Sequence, residues 1–342
     1  MTTRIFREPK LTPETLDTLK TIIHQGELVV FPTETVYGIG GDAMNEAAIL
    51  KIYQAKGRPS DNPLILHIAN LSMLDSIALE VSEDAKKLIE RFWPGPLTLV
   101  FKKQASISPK LTGNLETVAV RFPNHPIAKQ FIESVNVPIA APSANLSGRP
   151  SSTLFEHVYE DLNEKVAAIV DGGQSTLGLE STVLDVSSDL PILLRPGTIS
   201  ADMIESVLRK PIQAGHPAKH HETPKSPGMK YKHYQPRGQV TLYDGPETFI
   251  VQAMSRDIKR TKAKNLAVIA VDEIAQSLPP CRLYTWGSLY EPQTLAKRLY
   301  ERLRTMDDHD HDVIFIHGLL EDPLSQAVMN RLEKAAHRII KK

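Results

Sequence analysis

A stretch without periodicity at residues 212–238 constrains the fold most, because it divides the chain into two parts. It is rich in Pro, Gly, His and Lys and shows neither helical nor strand spacing. A run of that length inside a folded chain is normally a linker or a functional loop. At 342 residues the chain is long enough for two domains. We therefore expect one domain over residues 1–211 and a second over 239–342.

Both parts alternate helix-like and strand-like segments, which is typical of α/β folds. Residues 12–26 begin with a threonine, carry apolar residues at helical spacing and end at Gly26, and the apolar run 27–33 follows as a strand. Later in the first part, short apolar β segments follow one another closely. The second part shows a βαβ alternation without a phosphate-loop glycine pattern. The sequence predicts an α/β domain followed by a smaller Rossmann-like three-layer domain.

Charge and hydropathy exclude several classes of protein. Apolar runs stay well below the roughly 20 residues that span a bilayer, and no apolar signal core follows the first ten residues. The single Cys281 cannot form an intrachain disulfide. Residues 1–210 carry 20 Lys+Arg against 25 Asp+Glu, and residues 211–342 carry 20 against 15. Neither part is strongly basic, whereas a domain with a large nucleic-acid-binding surface usually is. From the short apolar runs and the single cysteine we expect a cytoplasmic protein.

A glycine motif at residues 38–43, GIGGDA, resembles a dinucleotide-binding fingerprint. The preceding apolar strand ends at Phe31, however, and six residues that include Pro32 separate it from Gly38. A Rossmann loop needs its first glycine at the immediate end of the strand. A dinucleotide-dependent oxidoreductase is therefore the less favoured alternative.

Polar side chains cluster at the ends of the apolar segments. Residues 31–38, FPTETVYG, offer the hydroxyl groups of Thr33, Thr35 and Tyr37. A lysine supplies a mobile point charge and an arginine a planar fork, and this pairing suits phosphate oxygens. The alternative to ligand binding is a structural role: these residues would form hydrogen-bonded or solvated turns, and the histidine would be buried. The segment KGRPSDNPLILH contributes Lys56, Arg58, Asn62 and His67.

Arg121 ends the apolar run TVAVR, and an arginine inside a sheet needs an anionic partner from the protein or from a ligand. The segment APSANLSGRPSST is rich in hydroxyl and amide groups that can bind carboxylate or phosphate, or only form turns. Further on, Ser181 and Arg195 stand in strand-like segments. The histidine groups HPAKHH and DDHDHD lack the spacing of a structural zinc site, so no metal site is predicted.

Together these motifs resemble one family, the YrdC-type threonylcarbamoyl-AMP synthases. The motifs that carry the resemblance lie between about residue 12 and residue 210: PTETVYGIG, KGRPSDNPLILHI, WPGPLTLVF, VAVRFPNHP, PIAAPSANLSGRPS, DGG, ESTVLD and LLRPGTI. The segment SPGMKYKHYQP and the extra α/β domain are similar to the long, two-domain form of that enzyme. The resemblance implies a twisted mixed sheet with helices and an open concave face in the first domain.

The resemblance also implies a nucleotidyltransferase that makes L-threonylcarbamoyladenylate from L-threonine, bicarbonate and ATP and releases pyrophosphate. Mg²⁺ would accompany the phosphates. A downstream tRNA threonylcarbamoyl transferase would use the product to modify the adenosine beside the anticodon of tRNAs that read codons beginning with A. The main alternative to an enzyme is a non-catalytic RNA-binding module. The net negative charge of the first domain argues against this alternative and gives direct tRNA binding only weak support.

Site roles follow from the resemblance in the same way. The residues expected to bind L-threonine are Thr35, His67, Arg121, Ala141 through its backbone, and Ser181. Those expected to bind ATP are Arg58, Asn62, Thr117, Ser143, Asn145, Ser151, Arg195 and His233. Lys56 and Arg58 would be catalytic cations, and no strong general base is evident. Tyr231, His233 and Tyr234 would form a lid that excludes water from the reactive product.

Overall fold

The computed structural model describes residues 2–7, 10–215, 234–319 and 322–342. The chain divides into two units. The first unit holds the described residues of Met1–Ser147, Ser151–Thr176 and Glu180–Tyr231. The second unit holds those of Gly148–Pro150, Leu177–Leu179 and Lys232–Lys342. The boundaries predicted at 211 and 239 stay predictions, because residues 216–233 lie outside the described part of the chain.

Helices and strands alternate through the first unit, which confirms the α/β prediction. The strands are β1 (Arg4–Phe6), β2 (Val29–Phe31), β3 (Gly38–Asp42), β4 (Ile65–His67), β5 (Leu97–Lys102), β6 (Thr117–Arg121), β7 (Ile139–Ala140), β8 (Ala168–Val170), β9 (Thr182–Asp185), β10 (Ile192–Arg195) and β11 (Gln213–Ala214). The helices are α1 (Pro13–His24), α2 (Glu46–Lys56), α3 (Glu83–Phe92), α4 (Pro109–Thr112), α5 (Pro126–Val135), α6 (Phe155–Leu162) and α7 (Ala201–Leu208), with a 3₁₀ helix at Leu71–Ser76.

These strands form one mixed sheet in the order β1-β8-β2-β3-β7-β4-β6-β5-β9-β10-β11. β6 lies between β4, to which it is parallel, and β5, to which it is antiparallel, and β9 runs parallel to β5. Arg121 at the end of β6 is therefore opposite His67 on one side and Thr98 on the other. Segments that are far apart in the sequence thus present their polar ends at one place.

The glycine motif at residues 38–43 forms a strand rather than a phosphate-binding loop. β3 pairs antiparallel with β2. A Cβ atom on Gly40 would lie 2.7 Å from Ile139 Cγ2 and 2.8 Å from Phe31 Cε1, so only glycine allows this packing. The motif therefore serves close packing within the sheet, in agreement with the preference against an oxidoreductase.

Local sequence fixes the ends of α2, which leads into the KGRP turn. Asn45 caps its start, because the side-chain Oδ1 accepts hydrogen bonds from the amides of Ala47 (3.0 Å) and Ala48 (3.3 Å). Gly57 ends the helix in the left-handed conformation, with φ of 60°. Lys56 and the following turn are thereby placed at a defined helix terminus.

The second unit contains a parallel sheet in the order β14-β13-β15-β12-β16. Its strands are β12 (Gln239–Asp244), β13 (Leu266–Ala270), β14 (Leu283–Thr285), β15 (Val313–His317) and β16 (Arg338–Lys341). Its helices are α8 (Glu247–Arg260), α9 (Asp272–Ala275), α10 (Pro292–Asp308) and α11 (Pro323–Ala335). Parallel strands joined by helices confirm the Rossmann-like prediction. Across the described ranges, every helix is too short or too polar to cross a membrane.

Candidate active site

Arg121 ends β6, and three groups of the first unit hold its guanidinium. Nη1 donates to Thr35 Oγ1 at 2.7 Å, Nε donates to the carbonyl oxygen of Gly95 at 3.3 Å, and Nη2 lies 2.7 Å from Glu34 Oε2. The side chains of Arg121 and Glu34 are only 5% and 8% exposed. The anionic partner that a buried arginine needs is thus supplied by the protein itself.

Glu34 is a candidate that sequence analysis missed. Within the described ranges neither of its buried oxygens has a hydrogen-bond partner of good geometry, although Oε2 is close to Arg121. A carboxylate can accept about four hydrogen bonds, and a buried acceptor without a partner costs about 1–3 kcal/mol. The available signal was an acidic residue between two threonines in a loop that follows a strand.

Hydroxyl groups set the shape of this loop. Thr33 Oγ1 donates to the carbonyl oxygen of Val36 at 2.6 Å and lies 2.9 Å from Thr35 Oγ1. Since Thr33 has already donated its only hydroxyl proton, the Thr35 hydroxyl donates to Thr33 Oγ1 and accepts from Arg121. The predicted residue Thr35 is therefore held in a fixed orientation beside the guanidinium.

His67 ends β4 directly beside Arg121 and lies edge-on to Phe31, with ring centroids 6.0 Å apart. Burial, and then the positive charge of Arg121, lower the pKa of His67 to about 3, so the imidazole is neutral at neutral pH. Its Nδ1 lies 3.3 Å from the carbonyl oxygen of Ile65. A carbonyl only accepts, so Nδ1 carries the proton and Nε2 is the acceptor.

Ser181 and Arg195 are brought together beside the same end of the sheet. Arg195 donates from Nη2 to Ser181 Oγ and from Nε to the Ser181 carbonyl oxygen, both at 3.1 Å. Ser181 Oγ also lies 2.7 Å from Oγ1 of Thr98, which is opposite Arg121 across β5 and β6. A residue expected to bind threonine and one expected to bind ATP are thus neighbours.

Ala141 follows β7, a strand limited to two residues by Pro138 and Pro142, which lack an N–H group. The amide of Ala141 donates to the carbonyl oxygen of Ile65 at 2.9 Å. The expected contact of the Ala141 backbone with threonine stays a prediction.

Lys56 is buried, with 2% exposure, and acts on the protein backbone. Its Nζ donates to the carbonyl oxygens of Ser143 and Asn145, and the amide of Ser147 donates to the Lys56 carbonyl at 2.8 Å. Ser143 Oγ in turn donates to Asn145 Oδ1 at 2.5 Å. Lys56 therefore fixes the loop of residues 143–147, and its expected contact with phosphate or bicarbonate stays a prediction.

Arg58 and Asn62 shape the turn that follows α2. Arg58 donates to the carbonyl oxygens of Asn62 at 3.2 Å and Pro63 at 3.0 Å. Asn62 is 1% exposed, and its Oδ1 has no hydrogen-bond partner in the part of the chain that the structure describes. The Asn62 side chain is therefore available to a ligand donor.

Thr117 and Arg121 mark opposite ends of one face of β6, because alternate residues of a strand point the same way. Ala119 lies between them and packs with apolar residues of the neighbouring strands. The cluster consists of Ile65, Val100, Ala119 and Val183. Thr117 is thus separated from the Arg121 end by an apolar patch, roughly 13 Å along the strand at about 3.3 Å per residue.

Ser151 donates to Glu180 Oε1 at 2.7 Å, and both residues are buried. Sequence analysis missed Glu180, the acid that precedes Ser181. The neighbouring loop is tied to the FPTETVYG segment, because the amide of Tyr37 donates to the Ser152 carbonyl at 2.9 Å. The expected ATP residue Ser151 is thus held next to a buried carboxylate.

The expected lid falls partly outside the described residues, which include neither Tyr231 nor His233. Tyr234 belongs to the second unit, where its buried ring stacks on Tyr300 with centroids 5.2 Å apart. The lid role of these three residues stays a prediction.

Two family models cover most of the chain. Residues 21–197 match the Sua5, YciO and YrdC family, described as telomere recombination, and residues 199–337 match the C-terminal domain of threonylcarbamoyl-AMP synthase. The chain is 45% identical to the threonylcarbamoyl-AMP synthase of Pyrococcus abyssi over 93% of each chain. It belongs to the threonylcarbamoyl-AMP synthase family. The Bacillus subtilis threonylcarbamoyl-AMP synthase is 44% identical over 92% of this chain and 91% of its own.

The structure is also similar to that of Pyrococcus abyssi Sua5 complexed with L-threonine, with a TM-score of 0.90 and 42% identity over 100% of each chain. Escherichia coli YciO shares the fold over 56% of this chain and 95% of its own, with a TM-score of 0.51 and 24% identity. The family, the fold class and the enzyme class predicted from the motifs are confirmed. As a threonylcarbamoyl-AMP synthase, the chain is a nucleotidyltransferase-type enzyme.

Proposed function

We propose that the first unit joins L-threonine, bicarbonate and ATP into L-threonylcarbamoyladenylate and releases pyrophosphate. The observation that carries this proposal is the grouping of a buried guanidinium, a neutral imidazole and fixed hydroxyls around Arg121. The structurally similar Pyrococcus abyssi protein was solved with L-threonine, which supports the same ligand here.

Arg121 and His67 would recognise different parts of L-threonine. The Arg121 guanidinium has five N–H groups, of which those not directed at protein acceptors can donate to the substrate carboxylate. His67 Nε2 would accept a hydrogen bond from the substrate hydroxyl. Thr35, Ser181 and the Ala141 carbonyl complete the site. A site that bonds a substrate hydroxyl discriminates against analogues without one, such as valine.

ATP would lie on the loops beside this end of the sheet and extend along β6 toward Thr117 at the other end of the strand. Arg195, fixed on Ser181, would supply a positive charge near the α-phosphate that the carbamate attacks, and such charge would stabilise the transition state. Holding three small reactants together should supply much of the rate. The other groups proposed for ATP are Arg58, Asn62, Thr117, Ser143, Asn145, Ser151 and His233, with Lys56 fixing the loop.

Mg²⁺ would be carried mainly by the ATP phosphates, which it binds together with few protein ligands. Within the described ranges, no three His, Cys, Asp or Glu side chains are grouped as metal ligands.

We also propose that the product feeds threonylcarbamoylation of the adenosine beside the anticodon of tRNAs that read codons beginning with A. A mixed anhydride is prone to hydrolysis, so a downstream tRNA threonylcarbamoyl transferase would have to accept it promptly. This use of the product would place the enzyme in the cytoplasm with its tRNA.

The test is incubation of the full chain with ATP, L-threonine and bicarbonate. Pyrophosphate release should require all three, and mass spectrometry should detect threonylcarbamoyladenylate. Pyrophosphate release that is independent of threonine or bicarbonate would contradict the proposal. A gel shift with tRNA that disappears steeply with salt, without catalysis, would favour the RNA-binding alternative.

A further inference from the structure

The buried carboxylate of Glu34 has no role in the threonine and ATP contacts proposed above. We propose that Glu34 binds the α-ammonium group of L-threonine and accepts the proton that this group must lose before it reacts with bicarbonate. This inference rests on the proposed function, because it assigns a further catalytic residue to the same site.

The charges of Arg121 and Glu34 are complementary to those of an amino-acid head group. Arg121 Nη2 and Glu34 Oε2 are 2.7 Å apart and belong to two buried side chains. An α-amino acid carries its carboxylate and its ammonium on one carbon atom, so its head group presents two opposite charges at similarly short separation. A carboxylate on Arg121 therefore brings the ammonium to Glu34, and the charge order of the site matches one orientation of the substrate.

The Glu34 carboxylate also has unmet hydrogen-bonding capacity. Both carboxylate oxygens are buried, and among the residues that the structure describes neither has a hydrogen-bond donor of good geometry. An ammonium group has three N–H donors. Buried acceptors are rarely left without donors, so a ligand donor at this position restores the usual balance.

Arg121 is also held independently of Glu34. Its Nη1 and Nε donate to Thr35 Oγ1 and the Gly95 carbonyl oxygen, so the guanidinium keeps its place when Glu34 turns to the ligand. Residue 95, whose carbonyl accepts from Arg121, must be glycine, because a Cβ atom there would lie 2.3 Å from the carbonyl oxygen of Phe92.

Other groups nearby are less suited to take the proton. His67 is neutral, but burial and the adjacent Arg121 lower its pKa to about 3. The carboxylate of Glu180 already accepts a hydrogen bond from Ser151 at 2.7 Å. His125 lies at the start of α5. Burial lowers the pKa of its imidazole, and the negative charge of Glu34 acts in the opposite direction. Within the described residues, Arg121 and His125 are the charged or titratable groups that interact with the Glu34 carboxylate.

The proposed step moves one proton from the substrate to Glu34 and replaces a C–O bond by a C–N bond. One N–H bond of the threonine ammonium breaks, and an O–H bond forms on Glu34. The free amine attacks the carbon of bicarbonate, so a C–N bond forms and a C–O bond breaks. The hydroxide that leaves combines with the second amine proton to give water and the carbamate. Glu34 then releases its proton to solvent and returns to the carboxylate.

Glu34→Gln tests the proposal, because the amide keeps the shape but cannot accept a proton. At neutral pH, kcat for pyrophosphate release should fall at least a hundredfold, as removal of a general base typically does. The KM for ATP should stay within about twofold. The deficit should shrink as the pH rises, because free threonine then already carries an unprotonated amine. Glu133→Gln on the exposed side of α5 is the matched control and should behave like the wild type.

A binding measurement separates this role from a structural one. The wild type should bind L-threonine at least tenfold more tightly than 3-hydroxybutanoate, which lacks the ammonium, and Glu34→Gln should lose that preference. If Glu34→Gln does not fold, Glu34→Asp should raise the threonine KM about tenfold while keeping the wild-type pH profile. An unchanged preference and pH profile in Glu34→Gln, or an unchanged threonine KM in Glu34→Asp, would overturn the proposal. A wild type without threonine-dependent pyrophosphate release would instead overturn the proposed function.

Discussion

At the scale of single residues, burial changes what each side chain of the site can do. Arg121 is a cation whose charge is already balanced by Glu34, so the proposed binding of a substrate carboxylate would exchange partners instead of neutralising an isolated charge. His67 is an imidazole that burial and Arg121 keep neutral, and its Nε2 can accept a hydrogen bond because Nδ1 carries the proton. Residue identity alone would have suggested a free cation and a proton-transfer group at these positions.

Arg121→Ala should raise the KM for threonine tenfold or more, because a charge-assisted hydrogen bond worth about 1.5–3 kcal/mol is lost. The KM for ATP should change less. The variant should also lose about 3–5 kcal/mol of stability, because Glu34 is left buried and unpaired. Steady-state kinetics and urea denaturation measure the two effects. The double variant Arg121→Ala/Glu34→Gln should recover stability but not threonine affinity, and recovery of both would refute the assignment of Arg121.

His67 should make stability depend on pH. Its pKa is about 3 in the folded chain and about 6.5 when unfolded, so the unfolded chain binds more protons between these values. Stability should therefore fall as the pH drops below about 6.5, by up to about 1.4 kcal/mol per pH unit from this residue. His67→Gln should show a shallower decline in denaturation curves between pH 6.5 and 4. An NMR titration of the His67 imidazole near pH 6.5 would contradict the prediction.

At the scale of elements, the site depends on how a helix end and two loops are joined. α2 ends at Gly57, and the preceding Lys56 reaches the carbonyls of residues 143 and 145. That loop continues to Ser152, whose carbonyl accepts from Tyr37 in the FPTETVYG segment. Hydrogen bonds to backbone carbonyls thus connect the loop expected to bind threonine with the loop expected to bind ATP. A pattern of side chains in the sequence does not reveal these bonds.

Lys56→Met should loosen the loop of residues 143–147, because the thioether has a similar length but donates no hydrogen bond. Hydrogen exchange in this loop should rise, and pyrophosphate release should fall at least tenfold through weaker ATP binding. Lys51→Met, on the same helix and 38% exposed in the wild type, should leave both unchanged. Lost turnover with undisturbed exchange would instead support direct contact between Lys56 and phosphate.

At the scale of the whole molecule, the second unit includes two short segments from within the first part of the sequence, Gly148–Pro150 and Leu177–Leu179. Arg304 of α10 is buried and donates to the Pro150 carbonyl oxygen from Nε at 3.1 Å and Nη2 at 2.8 Å. A Cβ atom on Gly178 would lie 2.5 Å from the Lys297 backbone. The residue next to Pro150 is Ser151, so the second unit holds a segment adjacent to an expected ATP contact.

A chain truncated after Lys210 should fold but lose most of its activity. The first unit keeps its core and every strand of its sheet except the edge strand β11, whereas residues 148–150 and 177–179 lose their partners in the second unit. Circular dichroism should show a cooperative transition, and hydrogen exchange should rise at these two segments. Full pyrophosphate release by the truncated chain would show that neither the second unit nor the linker is needed for chemistry.

The sequence by itself determined the family and the α/β class of both parts, and the site roles that it suggests stay predictions. Helix caps, apolar spacing and strand-end polar residues are local properties, so a linear pattern contains them. It did not determine which polar groups meet: Glu34 with Arg121, Ser181 with Arg195, and Lys56 with the loop carbonyls. These contacts depend on strand order in the mixed sheet, which places β4, β6, β5 and β9 side by side. Burial then decides protonation and pairing, because charge is strongly disfavoured away from water, and burial exists only in the tertiary structure.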